Sequence, residues 1–299
     1  TGAPAGEETL AAAQKVFQEI YRPLSLARGG EVYGLFPSPA WEKGVESMFG
    51  ELAPIREERQ YYALKENRYD WRAMLPEGFE LCWVEAGLLA EKRIKNPEYL
   101  TEEMLSERAS VEEVLQKSFG VCLIHADEIV GWCLSEYNTG DRCEVGIATR
   151  EDFRQRGFAT LMATALIELA RSKGVRRVGW HCYTDNLPSA ATARKAGFEK
   201  IADYPVYFGW FDPALHLANQ GYIAFRQEQY AKALAFYEQG MALSELPGWA
   251  CWGAACAAAR LGQTDKAVHY LSMAVDGGFG DLERLQSSPH LVSLRGSAA

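Results

Sequence analysis

Residues 144–170 read EVGIATREDFRQRGFATLMATALIELA, and the whole chain is organised around this stretch. The run Cys143-Glu144-Val145-Gly146-Ile147-Ala148-Thr149 has strand propensity, while the segment after Gly157 places Leu161, Ala165, Leu166 and Leu169 on one face of a helix. Between them the chain must turn sharply at Arg154-Gln155-Arg156-Gly157-Phe158-Ala159-Thr160. Gly157 and the small Ala159 let backbone amides approach a ligand closely. The first turn of the following helix offers unpaired N–H groups at a positive dipole end, so the turn suits an anion. Arg154 and Arg156 add charge that matches a phosphate.

Composition bounds the rest. With 299 residues, 48% of them apolar, the chain is long enough for two or three domains with real cores. A net charge of −9 without a balancing basic stripe argues against nucleic acid and fits a neutral or cationic partner, such as an amine. Seven cysteines without a C-x-x-C pair indicate neither a disulfide framework nor a zinc site, and no metal is expected; most should be small buried hydrophobes. No apolar run reaches the ~18 residues of a membrane helix, and no basic-then-apolar leader opens the chain, so a cytoplasmic protein without membrane contact is expected.

In chain order, residues 1 to about 7 are small and polar, and Glu8 to Tyr21 reads as an amphipathic helix ended by Pro23. A short strand follows at Glu31–Phe36 and helical periodicity at Trp41–Leu52, whereas Ile55–Leu64 is ambiguous. No chemistry is visible in this part, which reads as an N-terminal α/β subdomain over residues 1–75. From Pro76 the elements become legible: a strand at Phe79–Val84, a helix opened by Ser110 with Glu113 at capping-box spacing, and a strand, turn and strand across Gly120–Tyr137. The strand and turn of the opening stretch come next. A helix stop at Ser172-Lys173-Gly174 precedes a strand at Arg177–Tyr183, parallel to the first if the helix is a crossover. Asn186-Leu187-Pro188-Ser189 opens a helix that ends at Gly197-Phe198, before a hairpin at Glu199–Phe211.

This order, with Arg154-x-x-Gly157-x-Ala159 between a strand and a helix and an Asn186-x-x-Ser189 helix ending in Gly197-Phe198, resembles the GNAT N-acetyltransferase superfamily. The spacing of Trp180-His181-Cys182, Asn186, Ser189, Gly197-Phe198, Tyr204 and Tyr207 looks like the branch of zwittermicin A resistance acetyltransferases. The implied fold is a mixed central sheet with flanking helices over residues 76–212. Beyond it, 214–245 and 248–279 align with an offset of 34: Gly221 with Ala255, Ala233 with Ala267, Tyr237 with Leu271. That period looks like tetratricopeptide helix hairpins, an all-α repeat domain over residues 213–299 with Pro289–Leu294 as its cap. Trp249, Trp252 and Tyr230 read as repeat packing, or as an aromatic face for a peptide.

The resemblance implies acetyl-CoA as co-substrate and direct attack by a primary amine. Arg154, Gln155, Arg156, Gly157, Phe158, Ala159 and Thr160 would cradle the pyrophosphate. Val145, Ile147 and Ala148 would pair their backbone with the pantetheine, and Asn186 and Ser189 would contact the cofactor chain or simply cap their helix. Glu144 is the first candidate for the base and otherwise a solvated or ion-paired strand carboxylate; Glu136 and His181 follow. For the acid the sequence departs from the family, which often carries a tyrosine where Ala193 stands here. Tyr183, Tyr204 and Tyr207 are the hydroxyls that could substitute, or ordinary strand aromatics. Two rivals remain open: a binding scaffold with an inactive or cofactor-sensing acetyltransferase fold, and an enzyme whose repeats recruit a protein substrate.

Overall fold

The computed structural model describes residues 7–42, 44–49 and 54–294. The expectation for residues 1–6 therefore lies outside the described residues, as does part of that for Trp41–Leu52. Among the described residues eight strands form: β1 Val32–Leu35, β2 Ile55–Leu64, β3 Phe79–Trp83, β4 Gly120–His125, β5 Glu128–Thr139, β6 Arg142–Thr149, β7 Arg177–Tyr183 and β8 Phe198–Trp210. The chain divides into two compact units, residues 58–205 and residues 1–57 with 206–299.

In the unit of residues 58–205 the strand order is β2-β7-β6-β5-β4-β3. All pairings are antiparallel except β6 with β7, which the helix Phe158–Ser172 connects as a crossover. Alternation along β6 sends Cys143 and Val145 into the core and leaves Glu144 on the other face. On the core face Cys143, Val145, Val178, Trp180 and Tyr62 pack against Leu161, Ala165, Leu166 and Ile167 of the helix, with Leu169 partly buried beside them. The helical face expected from the sequence is thus the buried one. The opposite face is covered over β4 and β5 by a second cluster, in which Cys122, Ile124, Trp132 and Leu134 meet Leu88, Leu100, Met104 and Val114. Helix ends follow their chemistry. Ser110 Oγ accepts from the Glu113 amide at 3.2 Å, while the Glu113 carboxylate takes Lys117 Nζ at 2.6 Å instead of closing the capping box.

Three segments differ from expectation. Pro23 does not end the first helix: helical structure runs on through Arg22–Ala27, with the proline in its first turn. Ile55–Leu64 is a strand, paired to β7 with Tyr61 opposite His181 and Arg59 opposite Tyr183. Its residues are nearly all half-buried on both faces, which removes the alternation that marks a strand. Glu199–Phe211 is one continuous strand and not a hairpin. Its first half is exposed, so the polar Glu199, Lys200 and Asp203 reflect solvent and not a turn.

In the other unit, β1 pairs antiparallel with the end of β8, Val32 opposite Trp210 and Leu35 opposite Tyr207. Phe17, Tyr33, Phe49, Tyr207 and Phe211 form its aromatic cluster, with Phe17 edge-on to Phe49 at 4.5 Å and Tyr33 stacked on Phe49 at 4.8 Å. Two helix pairs follow, Pro213–Arg226 with Tyr230–Leu243 and Gly248–Arg260 with Thr264–Asp276. Their core is mostly alanine, and the aligned positions Gly221 and Ala255, and Ala233 and Ala267, are all buried. Leu291 of the turn Pro289–Leu294 joins that core. All seven thiols are free and six are buried. Among the described residues no helix is long and apolar enough to cross a membrane.

Candidate active site

The turn after β6 has the backbone shape an anion requires. Gln155 and Gly157 both adopt positive φ, 62° and 84°, so the chain bends back sharply just before the helix Phe158–Ser172. Gly157 is the N-cap and supplies no side-chain hydrogen bond. The first intrahelical bond runs from the Leu161 amide to the Gly157 carbonyl, so the amides of Phe158, Ala159 and Thr160 have no partner inside the helix. Arg154 to Gly157 are exposed, whereas Phe158 is buried against Phe79 and anchors the turn. Arg154 is steadied by its Nε donating to the Thr149 carbonyl, and Arg156 by donating to the Asp152 carbonyl while lying 5.1 Å from the Phe153 ring centroid. The result is a water-facing N–H cradle flanked by two cations.

The strand leading to this turn has an open edge. β6 pairs with β5 along its whole length, up to Thr149 opposite Gly131, but with β7 only as far as Glu144 opposite Gly179. Beyond that point β6 and β7 separate. The β7-side N–H and C=O groups of Val145 to Thr149 therefore have no strand partner, and an extended chain bearing amides can add there as a strand would. Val145 and Ile147 direct their side chains to the core, while Ala148 lies on the Glu144 face.

Where the strands part, side chains from four strands meet on that face. Glu144 Oε2 lies 3.2 Å from His181 Nε2, each side chain about a quarter exposed. His181 Nδ1 meets the Tyr204 hydroxyl at 2.6 Å, and its ring stacks on Tyr61 at 4.6 Å. The assignment that suits both neighbours puts the ring proton on Nε2, on the side of the Glu144 carboxylate, and leaves Nδ1 to accept the Tyr204 O–H. The Glu144–His181 approach is at ion-pair distance without hydrogen-bond alignment: Oε2 is shielded from water and has no aligned donor among the described residues. Burial pushes the Tyr204 phenol above its ordinary value, with Arg59 acting against the shift and Glu144 adding to it. Tyr61 is likewise raised, first by burial and then by Glu144.

Two glycines make room for the carboxylates. A Cβ on Gly179 would collide with the Glu144 carboxyl group, and one on Gly146 would collide with that of Glu136. Glu136 sits directly across from Glu144 in the β5–β6 pair, so both carboxylates lie on one face.

The remaining residues singled out in the sequence are placed as follows. Tyr207 belongs to the unit containing β1, where its hydroxyl accepts from Arg56 Nε at 3.2 Å and its ring is part of the aromatic cluster. Tyr183 is on the His181 face, under the Arg59 guanidinium at 5.2 Å. Asn186 accepts from the Ser189 amide at 3.1 Å and caps the helix Leu187–Lys195, while Ser189 Oγ accepts from Trp180 Nε1 at 3.0 Å. Ala193 is fully buried in the core behind the sheet. Sequence reasoning missed Arg59 and Tyr61 altogether, because their strand lacks alternation.

Comparison with known proteins agrees with this architecture. Residues 3–207 match the family model described as GNAT acetyltransferase. A curated relative, the uncharacterized N-acetyltransferase YdfB of Bacillus subtilis (strain 168), is 28% identical over 134 residues, 45% of this chain and 49% of that protein. The chain thus spans about half the length of the curated relative it matches. A GCN5-related N-acetyltransferase-like protein from Streptococcus suis 89/1591 aligns at 24% identity and a TM-score of 0.46, over 64% of this chain and 75% of that one. A GCN5-related N-acetyltransferase from Kribbella flavida aligns at 11% identity and a TM-score of 0.47, over 66% and 76%. The match to the family model extends over most of the sequence, and the chain belongs to the GNAT acetyltransferase family.

Proposed function

We propose that the chain is an acetyl-CoA-dependent N-acetyltransferase that acts on the primary amine of a small molecule by direct attack. The observation that carries this reading is the Glu144, His181, Tyr204 cluster at the point where β6 and β7 part, one strand length from an uncapped helix N-terminus. The chain fits the co-substrate: the amides of Phe158 to Thr160 with Arg154, Gln155 and Arg156 would hold the pyrophosphate, and the Val145–Thr149 edge would pair with the pantetheine. When bound, acetyl-CoA supplies an activated acetyl group.

The protein's own part is proton handling and position. Glu144, whose side chain is about a quarter exposed on that face, takes the proton of the acceptor ammonium. His181 faces the carboxylate with Nε2 at ion-pair distance and holds the phenol at Nδ1. Tyr204, kept protonated by burial, gives its proton to the thiolate as the C–S bond breaks; the second proton that nitrogen sheds on becoming the amide restores the phenol, and Glu144 releases the first to water. That role answers the absence of a tyrosine at Ala193 and removes the main motive for an inactive scaffold. Holding acceptor and thioester together supplies much of the remaining rate.

The finer assignments belong to the same proposal. They are the zwittermicin A resistance-like branch, the division at residues 75 and 212, a cytoplasmic location, and tetratricopeptide-like repeats that offer a face to a protein partner. The second helices of the two pairs, beginning at Tyr230 and Thr264, 34 residues apart with alanines buried at matching positions, support the repeat reading.

Calorimetry with acetyl-CoA tests the central claim. Gly157→Glu places bulk and negative charge at the cradle and should weaken binding by about 100-fold, the equivalent of a lost charge-assisted contact. Gly157→Ala is the control for strain at φ +84°, since its methyl meets nothing within 4 Å. Wild-type protein that binds neither coenzyme A nor its acetyl ester would end the proposal.

A further inference from the structure

The proposed catalytic cluster has a charged neighbour with no counter-ion among the described residues. Arg59 on β2 stands opposite Tyr183, two residues along β7 from His181 and on the same face. Its guanidinium lies over the Tyr183 ring at 5.2 Å, and its charge acts on the Tyr204 phenol. Several other arginines of this unit are tied to carboxylates, Arg72 to Glu168 at 2.8 Å, Arg150 to Asp152 at 3.0 Å and Arg177 to Asp141 at 2.7 Å. Arg59 Nε is buried and has no hydrogen-bond partner among the described residues. A buried guanidinium N–H without an acceptor is rare, and the half-buried side chain keeps its charge for a carboxylate that meets the guanidinium end-on. The aromatic ring beneath the guanidinium holds its plane in place for that geometry.

We infer that Arg59 anchors a carboxylate of the acceptor, so that the enzyme acetylates an ω-amino acid: a molecule with its amine at Glu144 and His181 and its carboxylate at Arg59. This rests on the acetyltransferase reading for the amine end. Successive same-face positions on a strand are about 7 Å apart, and the guanidinium overlies residue 183 while the Glu144 carboxylate overlies Gly179 and reaches His181. An α-amino acid, with both charges on one carbon, is too short to reach from one to the other. A chain of roughly four to six carbons spans the gap. Tyr61, stacked on His181 between the two ends, gives the methylenes an apolar wall.

Calorimetry on the full chain without acetyl-CoA tests the inference, with 5-aminopentanoate and 5-amino-1-pentanol as probes of equal length that differ in the carboxylate. The wild type should bind the aminocarboxylate at least tenfold more tightly, Arg59→Met should bring the two within about twofold, and Arg59→Lys should keep part of the preference. Circular dichroism verifies that the variants fold; should Arg59→Met unfold, the wild-type comparison and Arg59→Lys decide. Equal binding of both probes by the wild type, or a preference that survives Arg59→Met, overturns the assignment. Acetyl-CoA titrated into the same samples reads the transferase proposal separately, since the carboxylate preference does not depend on it.

Discussion

A single methyl group added at Gly179 should disable the proposed acetyl transfer while leaving the chain folded. Gly179 lies opposite Glu144 where β6 and β7 last pair, and the Glu144 side chain occupies the space a Cβ would need. An alanine Cβ there would sit 2.5 Å from Oε1 and 2.7 Å from Cδ, and nearer still to Oε2, where ordinary contact begins at 3.4 Å. The carboxylate must therefore withdraw by about 0.9 Å at Oε1, the difference between 2.5 Å and ordinary contact at 3.4 Å, and by more at Oε2. The 3.2 Å approach to His181 is then lost. Because the group that moves is the free end of a side chain, and alanine is the better strand residue by about 0.5–1 kcal/mol, stability should change by about 1 kcal/mol or less. Displacing a catalytic group by about 1 Å can lower kcat by about 100-fold, within the ~10²–10⁴ that a general base contributes. The assay is thiol release from acetyl-CoA under saturating amine, beside thermal melts. Glu144→Gln should fall at least as far, and the double variant should be no slower than Glu144→Gln alone, because both changes remove the same contact. A Gly179→Ala enzyme within about threefold of wild type, with Glu144→Gln impaired, would refute this account of how Glu144 is held.

Tyr204→Phe should lower kcat by about tenfold or more, whereas Tyr207→Phe, which removes only the acceptor of an Arg56 hydrogen bond, should lower it by less than about threefold; the reverse order would move the acid to Tyr207. Burial holds the Cys122, Cys143 and Cys256 thiols protonated up to about 12, against an ordinary 9.0. Above pH 9 the unfolded chain sheds these protons first, so stability should be full below that pH and fall progressively toward pH 12; urea midpoints at pH 8 and 10.5 measure the slope, which Cys143→Ala should flatten. In the helical segment, a methyl on Gly253 would reach 2.7 Å from Cζ of the buried Tyr237, so Gly253→Ala should destabilise by about 1–3 kcal/mol by denaturant titration. An undiminished midpoint would contradict that packing.

What was legible in the sequence follows the range over which each signal acts. The turn at Arg154–Thr160 and the caps at Ser110 and Asn186 are written within four residues of one another, and all three have the expected local geometry. The cluster around His181 depends on register between segments far apart in sequence. Tyr61 meets His181 because β2 pairs with β7, and Glu144 meets it because β6 runs parallel to β7 for three residues and then leaves. Tyr204 was one of three equivalent tyrosines for a related reason: Asp203-Tyr204-Pro205 has turn composition but lies within a strand whose polar residues face solvent. Yet Gly146 and Gly179 carried a local trace of the distant requirement. Glycine weakens a strand, so its presence among Val145, Ile147, Val178 and Trp180 calls for a group on the adjoining strand that needs the space. Here that group is a glutamate in each case, Glu136 over Gly146 and Glu144 over Gly179. A strand glycine facing an acidic residue on a neighbouring strand is thus a mark of where a carboxylate has been laid flat across a sheet, and in this chain it points to Glu144 from the residue opposite it.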